Sequence, residues 1–429
     1  METQPNWLTS IDRIVDMGLS HGLAQRTTED EAFNGRTICL NGRHVLNFAL
    51  CSYLGLEQDS RLKRGTIDAV TRYGTQFAIS RTYMSATPYT ELEAQLEELF
   101  GGHVLAAPTT TLGHIAALPV LIQKGDAIII DQMAHNSMQT AAKLLQAEGV
   151  PVETLLHCNL ELLEERIIAL GKRYRHIWYL TDGIYSMFGD RAPVKELGTL
   201  LNRYEQLHLY FDDAHGMSWI GKHGRGYVLD CLPIQERMVV ATSLCKAYAA
   251  GGGALIFPNA QMHRHVKNCG GPMIFSGPIQ PPMLGAAIAS ARIHLSLEID
   301  CLQQELQDRI ALCNRLLKVY EIPVGCSSQS PIFYIKLGLP HVAGQMAKYL
   351  LDEGFYTNHA VYPAVSRRKS GIRFTLTRHL SFDDIHGLIA AIARNLPKVL
   401  EKSPERKQKN VFRHNKYQTA EVATLYTSI

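Results

Sequence analysis

A mainly parallel, doubly wound α/β sheet followed by a smaller α+β unit is the fold this sequence predicts. Three observations predict it. Between about residues 60 and 290, apolar runs of strand length alternate with segments of helical period. Runs such as Ala127-Ile128-Ile129-Ile130 are unbroken, which is how a strand covered on both faces reads. Near residue 290 the texture changes to one long helical stretch and then three strands.

The first 60 residues read as an arm, with a helix over about 8–21 and a two-stranded excursion over 36–47 in which Asn41-Gly42 is a hairpin turn. Leu92, Leu96, Leu99 and Phe100 follow the i, i+4, i+7, i+8 spacing of an amphipathic helix that Thr90 and Glu91 start. Strands are expected at 103–107, 127–131, 152–157, 176–180, 208–211, 238–242 and 254–257, with helices over 137–148 and 160–174. These make a large domain, 61–290. A helix over 284–319 and strands 332–337, 356–361 and 372–376 form a small C-terminal domain, 291–401, and 402–429 is a polar tail, flexible or docked on the surface.

The chain has 429 residues, 46% hydrophobic and 19% charged, so it has apolar material for a sizeable core. Lys and Arg number 43 against 40 Asp and Glu, a net +3 that is too weak a bias for nucleic-acid binding; the basic cluster is 402–416. No run approaches the roughly 20 apolar residues that span a bilayer, and the N-terminus shows no apolar export segment. Nine cysteines without a C-x-x-C pair favour neither a disulfide framework nor a zinc ribbon, so reduced, buried or half-buried thiols in a cytoplasmic protein are expected, with no metal.

Three strand ends carry unusual polar groups. In Phe211-Asp212-Asp213-Ala214-His215-Gly216 an apolar strand runs into two carboxylates and an imidazole. Asp213 alone reads as surface termination, whereas Asp212 follows Leu209, Tyr210 and Phe211 directly and sits at the rim of the core, where a carboxylate needs a partner. Lys246 follows Ala241-Thr242-Ser243-Leu244-Cys245 and is hemmed by apolar neighbours, a setting that lowers an amine pKa and makes lysine nucleophilic. Thr109-Thr110-Thr111 follows strand 103–107 and opens a helix, a phosphate site by construction, although threonine caps without a ligand are common. A phosphate cradle, a carboxylate and an amine on one edge of a parallel sheet are what pyridoxal phosphate requires: its pyridine nitrogen kept protonated, its aldehyde held by lysine.

The runs Asn47-Phe48, Tyr53-Leu54-Gly55-Leu56, Arg72-Tyr73-Gly74-Thr75, Ser80-Arg81, Leu92-Glu93, Asp182-Gly183-Ile184-Tyr185-Ser186-Met187, Gly189-Asp190, Ala192-Pro193, Asp212 to Gly216, Gly224-Arg225-Gly226 and Lys246 occur in order. In this the chain resembles the α-oxoamine synthases, pyridoxal-phosphate transferases of fold type I, from about residue 36 to 395. The resemblance assigns Lys246 to the cofactor aldehyde, Asp212 to the pyridine nitrogen, His215 and Ser186 to the phenolic oxygen, and His135 to the face of the ring. It gives Thr109, Thr110, Thr111 and Ser243 to the phosphate, completed by Ser276 of a neighbouring subunit, and so implies a homodimer with shared sites. Arg373 matches the arginine that takes the amino-acid carboxylate, where a bidentate fork is wanted; Arg367, Arg368 and Lys369 lie close enough in sequence to serve instead. Cys51, Tyr53 and Arg81 complete the substrate region.

The family usually has Asn where Cys51 stands, its glycine-aromatic phosphate loop is replaced by Thr109 to Gly113, its Thr-Glu-Gly acid is Asp182, and Tyr89 takes the place of a His. The resemblance implies condensation of an amino-acid carbanion with an acyl thioester such as acyl-CoA. The alternatives are carbon–carbon bond formation with a non-CoA electrophile in a specialised pathway, or amino transfer. A non-catalytic partner subunit would have no need of Lys246, and neither G-x-G-x-x-G nor a Walker lysine supports a nucleotide site.

Overall fold

The structure, a computed structural model, describes residues 7–324 and 328–401. The expected tail, with its basic cluster, and Cys326 lie outside the described residues. A hairpin of β1 (Thr37–Leu40) and β2 (Arg43–Asn47) precedes the central sheet, which comprises β3 (His103–Ala107), β4 (Ala127–Asp131), β5 (Val152–Leu155), β6 (Ile177–Asp182), β7 (Leu207–Asp212), β8 (Met238–Ser243) and β9 (Gly253–Phe257). The seven strands lie in the order β3-β9-β8-β7-β6-β4-β5. From β5 to β8 every pair is parallel, and β9 alone runs against both its neighbours. Every residue of β4, β6, β7, β8 and β9 is buried, because helices and their apolar stripes cover both faces. Parallel register brings the carboxyl ends level: Asp182 lies opposite Asp212, and Asp212 opposite Ala241. All the loops that leave this edge open on the same side of the sheet.

Three expectations differ in detail. The single helix over 284–319 is two, Pro281–His294 and Glu298–Val319. Ser296 makes the break: its hydroxyl donates to the Ile293 carbonyl and accepts from the Glu298 N–H, local bonds that compete with the helix ladder. The strand over 356–361 is also two, β11 (Phe355–Tyr356) and β12 (Asn358–Ala360). Pairing explains this. β11 joins β2 in parallel, so the N-terminal hairpin shares a sheet with the C-terminal part of the chain, while β12 joins β13 (Ser370–Thr375) beside β10 (Ile332–Gly338). The expected strand over 152–157 stops at Leu155, since His157 and Cys158 turn toward Asp131 instead of continuing the ladder.

The hairpin turn forms as the sequence predicts, with Asn41 and Gly42 at φ 52° and 69°, the left-handed pair that joins two twisted strands. Phe48, Tyr53, Leu54 and Leu56 then bury into one core with helices Glu298–Val319 and Phe382–Glu401. Thr375 N–H donates to the Phe48 carbonyl, fixing the segment that carries Cys51 and Tyr53 against β13, which carries Arg373. Among the described residues no helix is long and apolar enough to cross a membrane. The eight described cysteines are free, but Cys245, Cys269 and Cys301 are exposed and not half-buried.

Candidate active site

The level strand ends enclose a cavity of about 230 Å³, lined by Thr109–Thr111, His135, Ser137, Asp182, Ile184, Asp212, Ala214, His215, Ser243, Cys245 and Lys246. Nine of the residues singled out in the sequence, Asp182 among them, thus face one space, although they come from five separate strand ends. On one side helix Thr110–Leu121 points its N-terminus at the cavity. Thr109 caps it by accepting from the Leu112 N–H, and the Thr110 hydroxyl donates to the Thr242 carbonyl, tying the loop to β8. Gly253 permits that approach, since a Cβ there would sit 2.6 Å from the Thr110 nitrogen. The Thr110 O–H is committed to the Thr242 carbonyl, while Thr109 only accepts, so the free N–H groups of the helix N-terminus and the remaining hydroxyls are the anion-attracting elements of the cradle.

On the far side Asp212 ends β7. Burial pushes its carboxyl up, but the charge and hydrogen bond of His114, together with Lys246 and His135, bring it down to about 2. His114 Nε2 lies 3.0 Å from Asp212 Oδ2, and the Ala214 N–H donates to Oδ1 at 3.0 Å. Asp182 goes the other way. Burial first, and then the charge of Asp212, hold it well above the usual carboxylate range, while the His135 N–H donates to its Oδ1 at 2.9 Å. Two carboxyls side by side are therefore driven to different protonation states, one anionic and one neutral.

Lys246 sits at the start of the turn after β8. Burial pushes its amine below the ordinary lysine value, against the pull of Asp212. His215 is held well below its usual value by burial and then by Lys246 and Arg373, so its imidazole is neutral; its Nδ1 lies 2.7 Å from the Tyr53 hydroxyl. His135 is also pushed down by burial, and its Nδ1 pairs with the Ser137 hydroxyl at 2.6 Å. Arg373, only 7% exposed, donates from Nε to the Ser186 carbonyl at 2.7 Å, from one terminal nitrogen to Asn358 Oδ1 at 3.0 Å, and from the other toward the Cys51 sulfur at 3.7 Å. Ser186 thus meets the site through its carbonyl. Among the described residues no carboxylate pairs with Arg373.

Tyr53, Cys51, Ser186 and Arg373 do not line the cavity themselves and join it through bonds to His215 and to one another, whereas Arg81 and Ser276 lie apart. Arg81 is ion-paired with Glu93 at 3.0 Å, donates to the Ala106 carbonyl and lies 3.8 Å over the Tyr89 ring, in a separate small cavity with Lys267 and Met273. The Ser276 hydroxyl bonds the Pro272 carbonyl of its own helix and does not line this cavity. Asp213, expected at the surface, is 1% exposed. It accepts from the Val228 N–H at 2.8 Å, and burial pushes its carboxyl up to about 8. Gly226, at φ 95°, admits it: a Cβ there would lie 2.4 Å from Asp213 Oδ2. Sequence reasoning also missed His114 and Cys245; a lone polar ring in the otherwise apolar run Leu112 to Leu118 was the available signal for the first.

Behind the cavity His157 clamps two loops. Its Nδ1 bonds Asp131 at 3.0 Å and its Nε2 bonds Asp190 at 2.6 Å, with the Cys158 sulfur 3.7 Å away. Burial opposes the cation, but the bonds to Asp131, Asp190 and Cys158 push it up to about 12. A raised histidine pKa stabilises fully below the unfolded value of 6.5 and loses that contribution as pH rises toward the folded value. His157→Gln is therefore expected to lower the melting temperature more at pH 6 than at pH 9. Equal losses at the two pH values would show that the clamp is not ionic.

The donor set fits pyridoxal phosphate: an anion-attracting helix end, an ionised carboxylate held by two donors, and a desolvated amine around one open-mouthed cavity. Comparisons with known proteins agree with that reading. The family described as Aminotransferase class I and II matches residues 43–392. An 8-amino-7-oxononanoate synthase of Symbiobacterium thermophilum is 30% identical over 365 residues, covering 83% of this chain and 89% of that one. One from Thermoanaerobacter pseudethanolicus is 28% identical over 376 residues, 87% and 93% of the two chains. Among solved structures, Sphingomonas wittichii serine palmitoyltransferase superposes with a TM-score of 0.82 at 21% identity, covering 92% of this chain and 99% of that one. An S. paucimobilis serine palmitoyltransferase solved with PLP and myriocin gives 0.82 at 20% identity and the same coverage.

Proposed function

From a chain that belongs to the class I and II aminotransferase family, and within it to the α-oxoamine synthases, we propose a pyridoxal-phosphate-dependent transferase that condenses an amino acid with an acyl thioester. The new carbon–carbon bond joins the amino acid's α-carbon to the acyl carbonyl carbon. Carbon dioxide and the free thiol leave, and an α-aminoketone remains. The observation that carries this reading is Arg373: a nearly buried guanidinium with no carboxylate among its partners in the described residues, and whose charge is felt by both Lys246 and His215. A buried cation without its counter-ion is costly, and a substrate carboxylate supplies the missing partner in bidentate form.

When bound, pyridoxal phosphate supplies the electron sink that makes the α-proton of the amino acid acidic. The helix N-terminus with Thr109 to Thr111 and Ser243 would hold its phosphate, Asp212 its pyridine nitrogen and Lys246 its aldehyde, with His135 along the ring. Arg373 orients the substrate by its carboxylate. Lys246, its amine pKa lowered by burial, takes the α-proton at Nζ. Neutral His215, fixed by the Tyr53 hydroxyl, presents Nε2 to the cavity as a hydrogen-bonding group whose charge stays constant near neutral pH. Asp182, kept protonated, adds no second negative charge beside Asp212.

Arg373→Lys keeps the charge but loses the fork. It is expected to raise KM for the amino acid about 10²-fold with a smaller fall in kcat, the scale of losing one arm of a desolvated charge pair. An unchanged KM would place the carboxylate elsewhere. The co-substrate is tested by offering a panel of amino acids with and without acyl-CoAs of different chain length, and following free-thiol release and aminoketone by mass spectrometry. Product without thiol release would favour a non-CoA electrophile, the reading that Cys51 beside Arg373 also suits.

The same reading extends to a homodimer in which Ser276 approaches the neighbour's phosphate site. Its support is an apolar surface around that segment: Phe275 is 88% exposed and Tyr83 84%, and the Ser80 hydroxyl ties their two loops together through the Ile274 carbonyl.

A further inference from the structure

One buried histidine, outside the cavity lining, holds the carboxylate on which the site's electronics depend. His114 lies one turn into helix Thr110–Leu121 and has no solvent exposure. Its ring is wedged against two side chains of β7, Tyr210 and Asp212, which point to the same face because residues i and i+2 of a strand do so. Nδ1 is 2.9 Å from the Tyr210 hydroxyl and Nε2 is 3.0 Å from Asp212 Oδ2. A carboxylate only accepts, so Nε2 carries a hydrogen and donates. Nδ1 faces the Tyr210 hydroxyl, for which it is the sole hydrogen-bond partner among the described residues.

The second oxygen of Asp212 is held by the Ala214 N–H. With one fixed donor on each oxygen the carboxylate cannot turn, and its remaining lone pairs face the cavity that Asp212 lines. The other ionisable groups facing Asp212 are Lys246, His135 and Asp182 on the cavity side, and the adjoining buried Asp213, whose carboxyl burial and then the Asp212 charge push up. His114 works from behind. Burial alone would favour the neutral acid, and His114 is foremost among the neighbours that reverse this.

We propose that His114 is a positioning residue for Asp212: its ring, oriented by Tyr210, locks the carboxylate in the attitude that meets the cofactor's pyridine nitrogen, so that Tyr210, His114 and Asp212 act as one unit. The inference rests on the pyridoxal-phosphate reading of the cavity. It goes further by assigning the protonation of that nitrogen to a residue that never touches the cofactor.

The test uses holoenzyme reconstituted with pyridoxal phosphate labelled with nitrogen-15 in the ring. The nitrogen shift is followed from about pH 6 to about pH 9 for the parent, His114→Phe, His114→Gln and Tyr210→Phe, a window in which a pyridine nitrogen keeps its proton only with the help of an anionic partner. The parent is expected to keep the protonated shift throughout. His114→Phe, which keeps a ring but no donor, should move toward the unprotonated shift as pH rises, with kcat down about 10- to 100-fold, the scale on which orienting partners act, and KM for the amino acid unchanged. His114→Gln, with an amide nitrogen near the Nε2 position, should restore the parent's shift, and Tyr210→Phe should lie between.

A parent-like shift in His114→Phe overturns the proposal even if its stability falls, since a residue that only packs leaves the nitrogen alone. Should that variant not fold, His114→Asn, too short to reach Asp212, takes its place with the same two outcomes. Borohydride trapping at Lys246 is the separate check. Without an adduct in the parent the cofactor reading fails; with an adduct and an unmoved nitrogen shift, only the role of His114 fails.

Discussion

Lys246→Ala is expected to lose all borohydride-trappable cofactor adduct and at least about 10⁴-fold in turnover, the scale on which a covalent catalytic residue is missed. The reason is local. Among the described residues Lys246 is the only lysine lining the cavity, its amine is pushed down by burial, and the peptide on either side is pinned: the Ala250 N–H donates to the Leu244 carbonyl before it, and the Ala249 N–H donates to the Lys246 carbonyl itself. Alanine should fold normally, because the turn is held by backbone bonds and not by the side chain. An undiminished adduct after reduction would locate the covalent link on another residue. Peptide mapping of the reduced parent would then identify it.

Asp212→Asn is expected to retain the cofactor adduct yet lose about 10³-fold or more in turnover, the scale of removing one preorganised electrostatic group from a transition state. Asparagine is nearly isosteric. Its amide brings a donor where both existing neighbours, the Ala214 N–H and His114 Nε2, already donate, so one hydrogen bond is lost or the ring of His114 must change tautomer. The charge is lost as well. Since the charge and hydrogen bond of His114 bring the Asp212 carboxyl down to about 2, below the ordinary carboxylate value, activity should show no acid limb from this group above about pH 4. Normal turnover in Asp212→Asn would remove Asp212 from the electron-sink role. Because His114 acts through Asp212, adding His114→Phe to Asp212→Asn should cost little more than Asp212→Asn alone, and additive losses would separate the two residues.

Much of the sheet was legible because its signals are local. A strand covered on both faces must be an unbroken apolar run, and a polar group at its end must lie at the sheet edge, so Asp212, Lys246 and Thr109 to Thr111 announced themselves. The departures arose where a short-range pattern has two solutions. Residues 356–361 have one strand-like period, but whether they pair with β2 or β13 depends on partners more than 300 and about 15 residues away. Arg81 sits in a motif beside the substrate residues, yet Glu93 and the Tyr89 ring draw it to another cavity. Asp213 looked like a strand end meeting water, and what buries it is the folding back of the loops that carry Gly183, Gly216 and Gly226 onto its carboxyl, a matter of loop packing that no local pattern shows.

By itself, the sequence determined the alternation of strand and helix, the edge on which chemistry gathers and the residue types offered there, because period and burial act through neighbours along the chain. Tertiary structure alone decided which of those side chains meet and in what charge state. His114 reaches Asp212 across 98 residues, and Arg373 finds its partners at residues 51, 186 and 358. Such contacts are set by register and packing between whole elements, and the pKa of a buried group follows from those contacts and not from its position in the chain.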